Sequence, residues 1–199
     1  MSYNKVLEAL KTNNIAIVPT DTIYGLCCNA LNEDATKKLF YIKQRPLTKT
    51  IAIAVKNKNE IYNYTQNICP IAKKIIDVFL PGPLTVILET NGKIKNNFLI
   101  HNNTIAIRIP ENRKLLYLLQ NIDFPLALTS ANIHNNTNCT NIAQVLKQLT
   151  DKLEYIDDGE CKYKQESTII SFQDNKISIQ REGVIKKETL LHYTSQLYS

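Results

Sequence analysis

Glycine is scarce in this 199-residue chain, with five residues at positions 25, 82, 92, 159 and 183. So few leave no room for a G-x-G-x-x-G dinucleotide loop or a Walker A phosphate loop. A nucleotide, if one binds, is held by other means. The G-x-S-x-G elbow of serine hydrolases is missing as well. Three histidines, His101, His134 and His192, make a Ser-His-Asp triad hard to assemble and offer no pair at metal-ligand spacing. Five cysteines, Cys27, Cys28, Cys69, Cys139 and Cys161, form an odd set without C-x-x-C spacing. That pattern suggests neither a disulfide framework nor a zinc site, so buried reduced thiols and no structural metal are expected.

Long apolar runs are also lacking. None approaches the roughly 18 residues of a membrane span, and the opening MSYNKVLEAL has neither an apolar h-region nor a small-residue cleavage site. A soluble cytoplasmic protein without membrane association is expected. At 44% hydrophobic content, residues 1–199 suffice for one domain with a substantial core. The net charge of +6 favours anionic partners, but no 5–8-residue block of Lys and Arg appears. Charge alone does not choose among nucleotide, phosphate and RNA.

Periodicity shows helices and strands mixed along the whole length. Val6, Leu7 and Leu10 share one helical face before IAIV at 15–18, and 33–43 reads as a second helix leading towards IAIAV at 51–55. The segment CPIAKKIIDVFLPG at 69–82 opens with a proline suited to a first helical turn and stops at Pro-Gly. LTVILE, TIAIRIP, PLALTSA, STIIS and KISIQRE are short β-type runs, with further helices near 112–121 and 141–149. The pattern predicts an α/β layer fold on a mixed, twisted sheet flanked by helices.

Polar signals cluster at the ends of the apolar strands, where open α/β sheets place ligand crevices. In PTDTIYGL, Thr20 and Thr22 point to one side of an extended chain, so their hydroxyls can orient a small ligand. An ordinary strand exit, with Asp21 capping an amide and Gly25 turning, fits equally well. In KQRP, Lys43 and Arg45 sit two apart and aim two cations into one cleft if the segment is extended before Pro46. TSAN offers the Ser130 hydroxyl and the Asn132 amide at a strand mouth. Arg108, inside the apolar run TIAIRIP, requires an anion, either a buried carboxylate of the protein or a substrate carboxylate.

Together PTDTIYGL, KQRP, PGPLT, TIAIRIP, TSAN, STII and QREG stand in the order and approximate spacing of the YrdC-like family, the threonylcarbamoyl-AMP synthases of tRNA modification. The chain resembles the short, single-domain form over residues of about 5–190. That resemblance implies a single-domain YrdC-like fold. It also implies a nucleotidyltransferase that converts L-threonine, bicarbonate and ATP to L-threonylcarbamoyladenylate and pyrophosphate. Downstream tRNA threonylcarbamoyl-transfer proteins then modify the adenosine next to the anticodon, and tRNA or double-stranded RNA is a possible direct partner.

Carried over by motif, Thr22, Arg108 and Ser167 are implied threonine ligands. Lys43 and Arg45 are the implied catalytic cations, and Arg45, Lys49, Thr104, Ser130, Asn132 and Arg181 are the implied nucleotide contacts. Magnesium is expected with the nucleotide. Two positions depart from the family pattern: Asn138-Cys139-Thr140 replaces a common Ser-Pro-Thr, and Ala54 stands where some relatives have histidine. A non-catalytic RNA-binding module of the same fold is the alternative, though no aromatic RNA-binding motif or arginine-rich arm is present. A dihydroxybutanone phosphate synthase on a related fold would need clustered acidic metal ligands. Asp157-Asp158 is a close acidic pair, but a turn before Gly159 explains it as well.

Overall fold

The computed structural model describes residues 3–195. In chain order the elements are α1 (Tyr3–Lys11), β1 (Ala16–Val18), β2 (Gly25–Asn29), α2 (Glu33–Lys43), β3 (Ala52–Ala54), α3 (Lys58–Tyr64), α4 (Pro70–Phe79) and β4 (Leu84–Glu89). There follow β5 (Ile100–His101), β6 (Thr104–Arg108), α5 (Arg113–Gln120), β7 (Leu126–Ser130), α6 (Ile142–Gln148), β8 (Glu154–Tyr155), β9 (Thr168–Gln173), β10 (Lys176–Arg181) and α7 (Lys187–Ser195). Asparagines at 32, 57, 112 and 141 open α2, α3, α5 and α6 by accepting an amide N–H in the first turn. Among the described residues no helix is long and apolar enough to cross a membrane.

All ten strands join one mixed sheet in the order β10-β9-β4-β6-β3-β7-β2-β1-β8, with β5 beside β6. The β3/β6, β4/β9 and β1/β8 pairs are parallel and the others antiparallel. Side chains alternate across a strand, so register decides which residues share a face. Ile53, Ile107, Val86 and Ile170 fall on one face, in the larger core beneath α2, α3, α4 and α6. On the opposite face Val18, Cys27, Leu128 and Ala54 pack beneath α1 and α5, which contribute Val6, Leu10, Leu115 and Leu118.

The second layer stops short. Over β6, β4 and β9 its face of the sheet carries Ala106, Thr85, Ile87 and Ile169, which line a cavity instead of meeting a helix. The fold thereby leaves half of one sheet face accessible at the place where strand tips and their loops converge.

Candidate functional site

The cavity on this face has a volume of ≈ 210 Å³ and is bounded by strand ends distant in sequence. Thr20 and Thr22 enter from the β1–β2 connection, Arg108 from the end of β6, Ser130 from the end of β7, Ser167 from the residue before β9 and Arg181 from the end of β10. A second lobe of ≈ 250 Å³ adjoins it and shares Arg45, Ser130 and Glu166. Lys43, Asn132, His134 and Asn138 line that lobe.

The two threonines divide their work. Thr20 Oγ1 donates to the Ile23 carbonyl at 2.6 Å and accepts the amides of Thr22 and Ile23 at 3.0 and 3.2 Å, so its hydroxyl is spent on shaping the loop. Thr22 Oγ1 lies 2.9 Å from Thr20 Oγ1 and accepts from Arg108 Nη1 at 3.2 Å.

Arg108 already has a protein anion. Its Nη2 donates to Asp21 Oδ1 at 2.9 Å, with side-chain exposures of 9% and 0% for the two residues. Burial raises the Asp21 carboxyl above the ordinary carboxylate range, and the guanidinium opposes that shift. Asp21 is therefore a buried counter-ion, whose carboxylate also draws on the backbone at Asp21 and Glu111. Arg108 Nε remains buried without a partner, and only two of the five guanidinium N–H donors, one on Nη1 and one on Nη2, are engaged.

Lys43 departs most from the sequence reading. The expected extended K-x-R segment is instead a helix end: α2 runs through Lys43, and Gln44 adopts the left-handed conformation at φ 52°. The Gln44 amide donates to the Tyr41 carbonyl and the Arg45 amide to the Phe40 carbonyl, closing a Schellman turn. Lys43 is 2% exposed. Its ammonium donates to the Ser130 carbonyl and Oγ at 2.7 and 2.9 Å, and to the Asn132 carbonyl and Oδ1 at 3.0 and 2.5 Å.

An ammonium has three protons, and four oxygens surround this one. Lys43 thus ties the end of α2 to the loop after β7 and has no donor to spare. Burial, and next the charge of Arg45, lower its pKa from 10.5 to about 8. Arg45 keeps more freedom: Nη2 donates to the Thr50 carbonyl at 2.9 Å, while Nε is buried and unpartnered.

Arg181 closes the far wall. Its Nε and Nη2 donate to the Ser167 carbonyl at 3.2 and 2.9 Å, and Nη1 meets Glu166 Oε1 at 2.7 Å. Ser167 Oγ lies 2.9 Å from Thr85 Oγ1. Gly183 explains the glycine of QREG, because a Cβ there would collide with backbone atoms of Glu166 and Ser167. Asn138 Oδ1 lies 3.5 Å from Asn132 Nδ2, so an amide lines the second lobe. Ala54 belongs to the core beneath α1 and α5, and Ala52 is the β3 residue that lines the cavity.

The structure brings together Thr22, Lys43, Arg45, Arg108, Ser130, Asn132, Ser167 and Arg181. Two expected nucleotide contacts stand apart. Lys49 is exposed in the loop after α2 and lines neither lobe. Thr104 shares a sheet face with Arg108 but begins the strand that Arg108 ends, and it lines a separate cavity beside Glu89 and Asn103. Four residues of β-rise, roughly 13 Å, separate the two positions. Sequence reasoning missed Glu166 and Thr85. A carboxylate directly before Ser167, at the start of an apolar strand, was the available signal for the first.

Three comparisons bear on this arrangement. Residues 8–183 match the Sua5/YciO/YrdC family model, described as "Telomere recombination". A Methanocaldococcus jannaschii protein with the provisional name threonylcarbamoyl-AMP synthase is 43% identical over 94% of this chain and 89% of its own length. The Bacillus subtilis threonylcarbamoyl-AMP synthase is 30% identical over 91% of this chain, but the match spans 53% of that longer protein. Among solved structures, P. abyssi Sua5 complexed with L-threonine superposes with a TM-score of 0.90 at 28% identity, covering 97% of this chain and 58% of that one.

Proposed function

This chain belongs to the Sua5/YciO/YrdC family, and from that premise we propose that it is a threonylcarbamoyl-AMP synthase, making L-threonylcarbamoyladenylate and pyrophosphate from L-threonine, bicarbonate and ATP. One observation carries the reading. A cavity walled by Arg108, Thr22 and Ser167 opens, through Arg45 and Ser130, into a lobe organised by Lys43 and Asn132. An amino acid fits the first compartment and a polyphosphate the second, so their reacting ends meet at the shared wall.

Threonine binds with its carboxylate towards the Arg108 guanidinium, beside the Thr22 and Ser167 hydroxyls. Its deprotonated amine adds to the bicarbonate-derived carbon with loss of water, giving a carbamate. A carbamate oxygen then attacks the α-phosphorus of ATP, and the bond to the departing pyrophosphate breaks. Fixing the reactants in near-attack geometry is the main contribution, roughly 7–11 kcal/mol for well-oriented partners. Arg45 and Arg181 offset charge on the phosphoryl oxygens directly. Lys43 acts through Ser130 and Asn132, which it holds in place, because its own donors are committed.

Among the described residues no group of three or more His, Cys, Asp or Glu side chains is placed to hold a metal. Magnesium enters with the nucleotide as the substrate complex MgATP. The adenylate passes to downstream transfer proteins that act on tRNA in the cytoplasm. Purified protein mixed with MgATP, bicarbonate and threonine should release pyrophosphate, and omitting threonine should abolish the release. Release that is indifferent to threonine would refute the assignment.

A further inference from the structure

One group in the phosphate lobe is left unused by this mechanism. His134 follows Asn132 by two residues, is partly buried, and lines the ≈ 250 Å³ lobe beside Lys43 and Arg45. Backbone bonds fix its place. Its amide donates to the Lys43 carbonyl at 2.8 Å, and the neighbouring Ile133 amide donates to Gln148 Oε1 of α6 at 3.3 Å. Lys43 and Arg45 face it from the end of α2, Lys49 from the following loop, and Glu166 from the segment before β9. Glu166 is engaged by Arg181, and from α6 the neutral Gln148 amide meets the adjoining backbone.

In this setting desolvation and then the charges of Arg45, Lys43 and Lys49 lower the pKa of the ring below its ordinary 6.5. That shift favours the neutral imidazole. A polyphosphate reverses that balance, because its oxygens offset Lys43 and Arg45 and reward a ring with two N–H donors. Lys43 has no donor left to meet an incoming phosphate, so an adjustable neighbour at the same wall has a task to perform.

We infer that His134 is a proton-coupled ligand of the polyphosphate: it takes a proton from solvent as the phosphate chain enters the lobe, and donates to a phosphate oxygen. Nothing else is consumed, since one N–H bond forms on the ring at the expense of buffer acid. The inference rests on the nucleotide reading of this lobe. It adds that nucleotide affinity falls as pH rises between about 6 and 8.

The test is calorimetric titration of the protein with MgATP, without threonine or bicarbonate, at pH 7 in buffers of different ionisation enthalpy. Wild type and His134→Gln are compared, so that titration of ATP itself and of Lys43 cancels in the difference. Wild type should take up more protons per ATP, by on the order of half a proton, and its affinity should fall more steeply with pH. Equal uptake by two proteins that both bind ATP overturns the inference and leaves the nucleotide reading standing. Failure of wild type to bind ATP overturns both.

Should His134→Gln not fold, ring resonances of wild type decide instead. The chain has three histidines, so the His134 signals can be assigned and titrated. Addition of MgATP should raise the ring pKa by about one or more, and an unchanged midpoint refutes the coupling.

Discussion

Replacing Lys43 by Met tests whether the site holds a buried ammonium as an organising strut. In the native environment its pKa lies at about 8 against an ordinary 10.5, a preference for the neutral amine of roughly 3 kcal/mol. The folded state therefore releases this proton at lower pH than the unfolded chain does. Between about pH 8 and 10.5 the unfolded chain holds more protons, so this group's contribution to stability rises with pH.

Urea unfolding of wild type and Lys43→Met, under reducing conditions at pH 7 and pH 10, isolates the effect from other titrating groups. The stability difference between the two proteins should shift in favour of wild type by roughly 2–3 kcal/mol on going to pH 10. Without the ammonium the Ser130 and Asn132 oxygens lose their common donor. MgATP affinity of the variant should then fall on the order of 100-fold, as expected for a displaced binding loop. A stability difference independent of pH, or full ATP affinity in the folded variant, would refute the strut.

Asp21→Asn leaves the Arg108 guanidinium buried without its counter-ion and should cost about 3–5 kcal/mol in denaturant unfolding. Adding Arg108→Met should recover much of that loss, and a single variant as stable as wild type would remove Asp21 as the partner. Gly183→Ala drives a Cβ into the backbone of Glu166 and Ser167. It should destabilise by about 1–3 kcal/mol and raise the threonine dissociation constant, both readable by thermal shift. Thr104→Val, at the far end of β6, should leave MgATP affinity within about twofold of wild type, the scatter expected of changes away from a site. A larger loss would draw the second cavity into nucleotide binding.

The strands that the sequence revealed best are those whose residues are β-branched and apolar. LTVILE coincides with β4 from end to end. By contrast β2, GLCCN, has no β-branched residue, and is extended because β1 and β7 bond to it on both sides. Helix α3 escaped notice because Ile61 is its one buried side chain, too little to mark a face. The converging strand tips were legible as motifs, but their pairings were not. Asp21 and Arg108 stand 87 residues apart, and no local pattern joins them. The end of α2 at Lys43 was legible, but the left-handed Gln44 that turns the chain between Lys43 and Arg45 was not, since glycine is the usual signal there.

The binding groups are contributed from Thr20 to Arg181, nearly the full span of the described chain. Until β10 has docked beside β9, a growing polypeptide lacks the wall that Arg181 supplies, so no partial product of synthesis can offer the complete site. Occupancy by ATP and threonine consequently reports finished folding, and by mass action protects the finished molecule from unfolding and proteolysis.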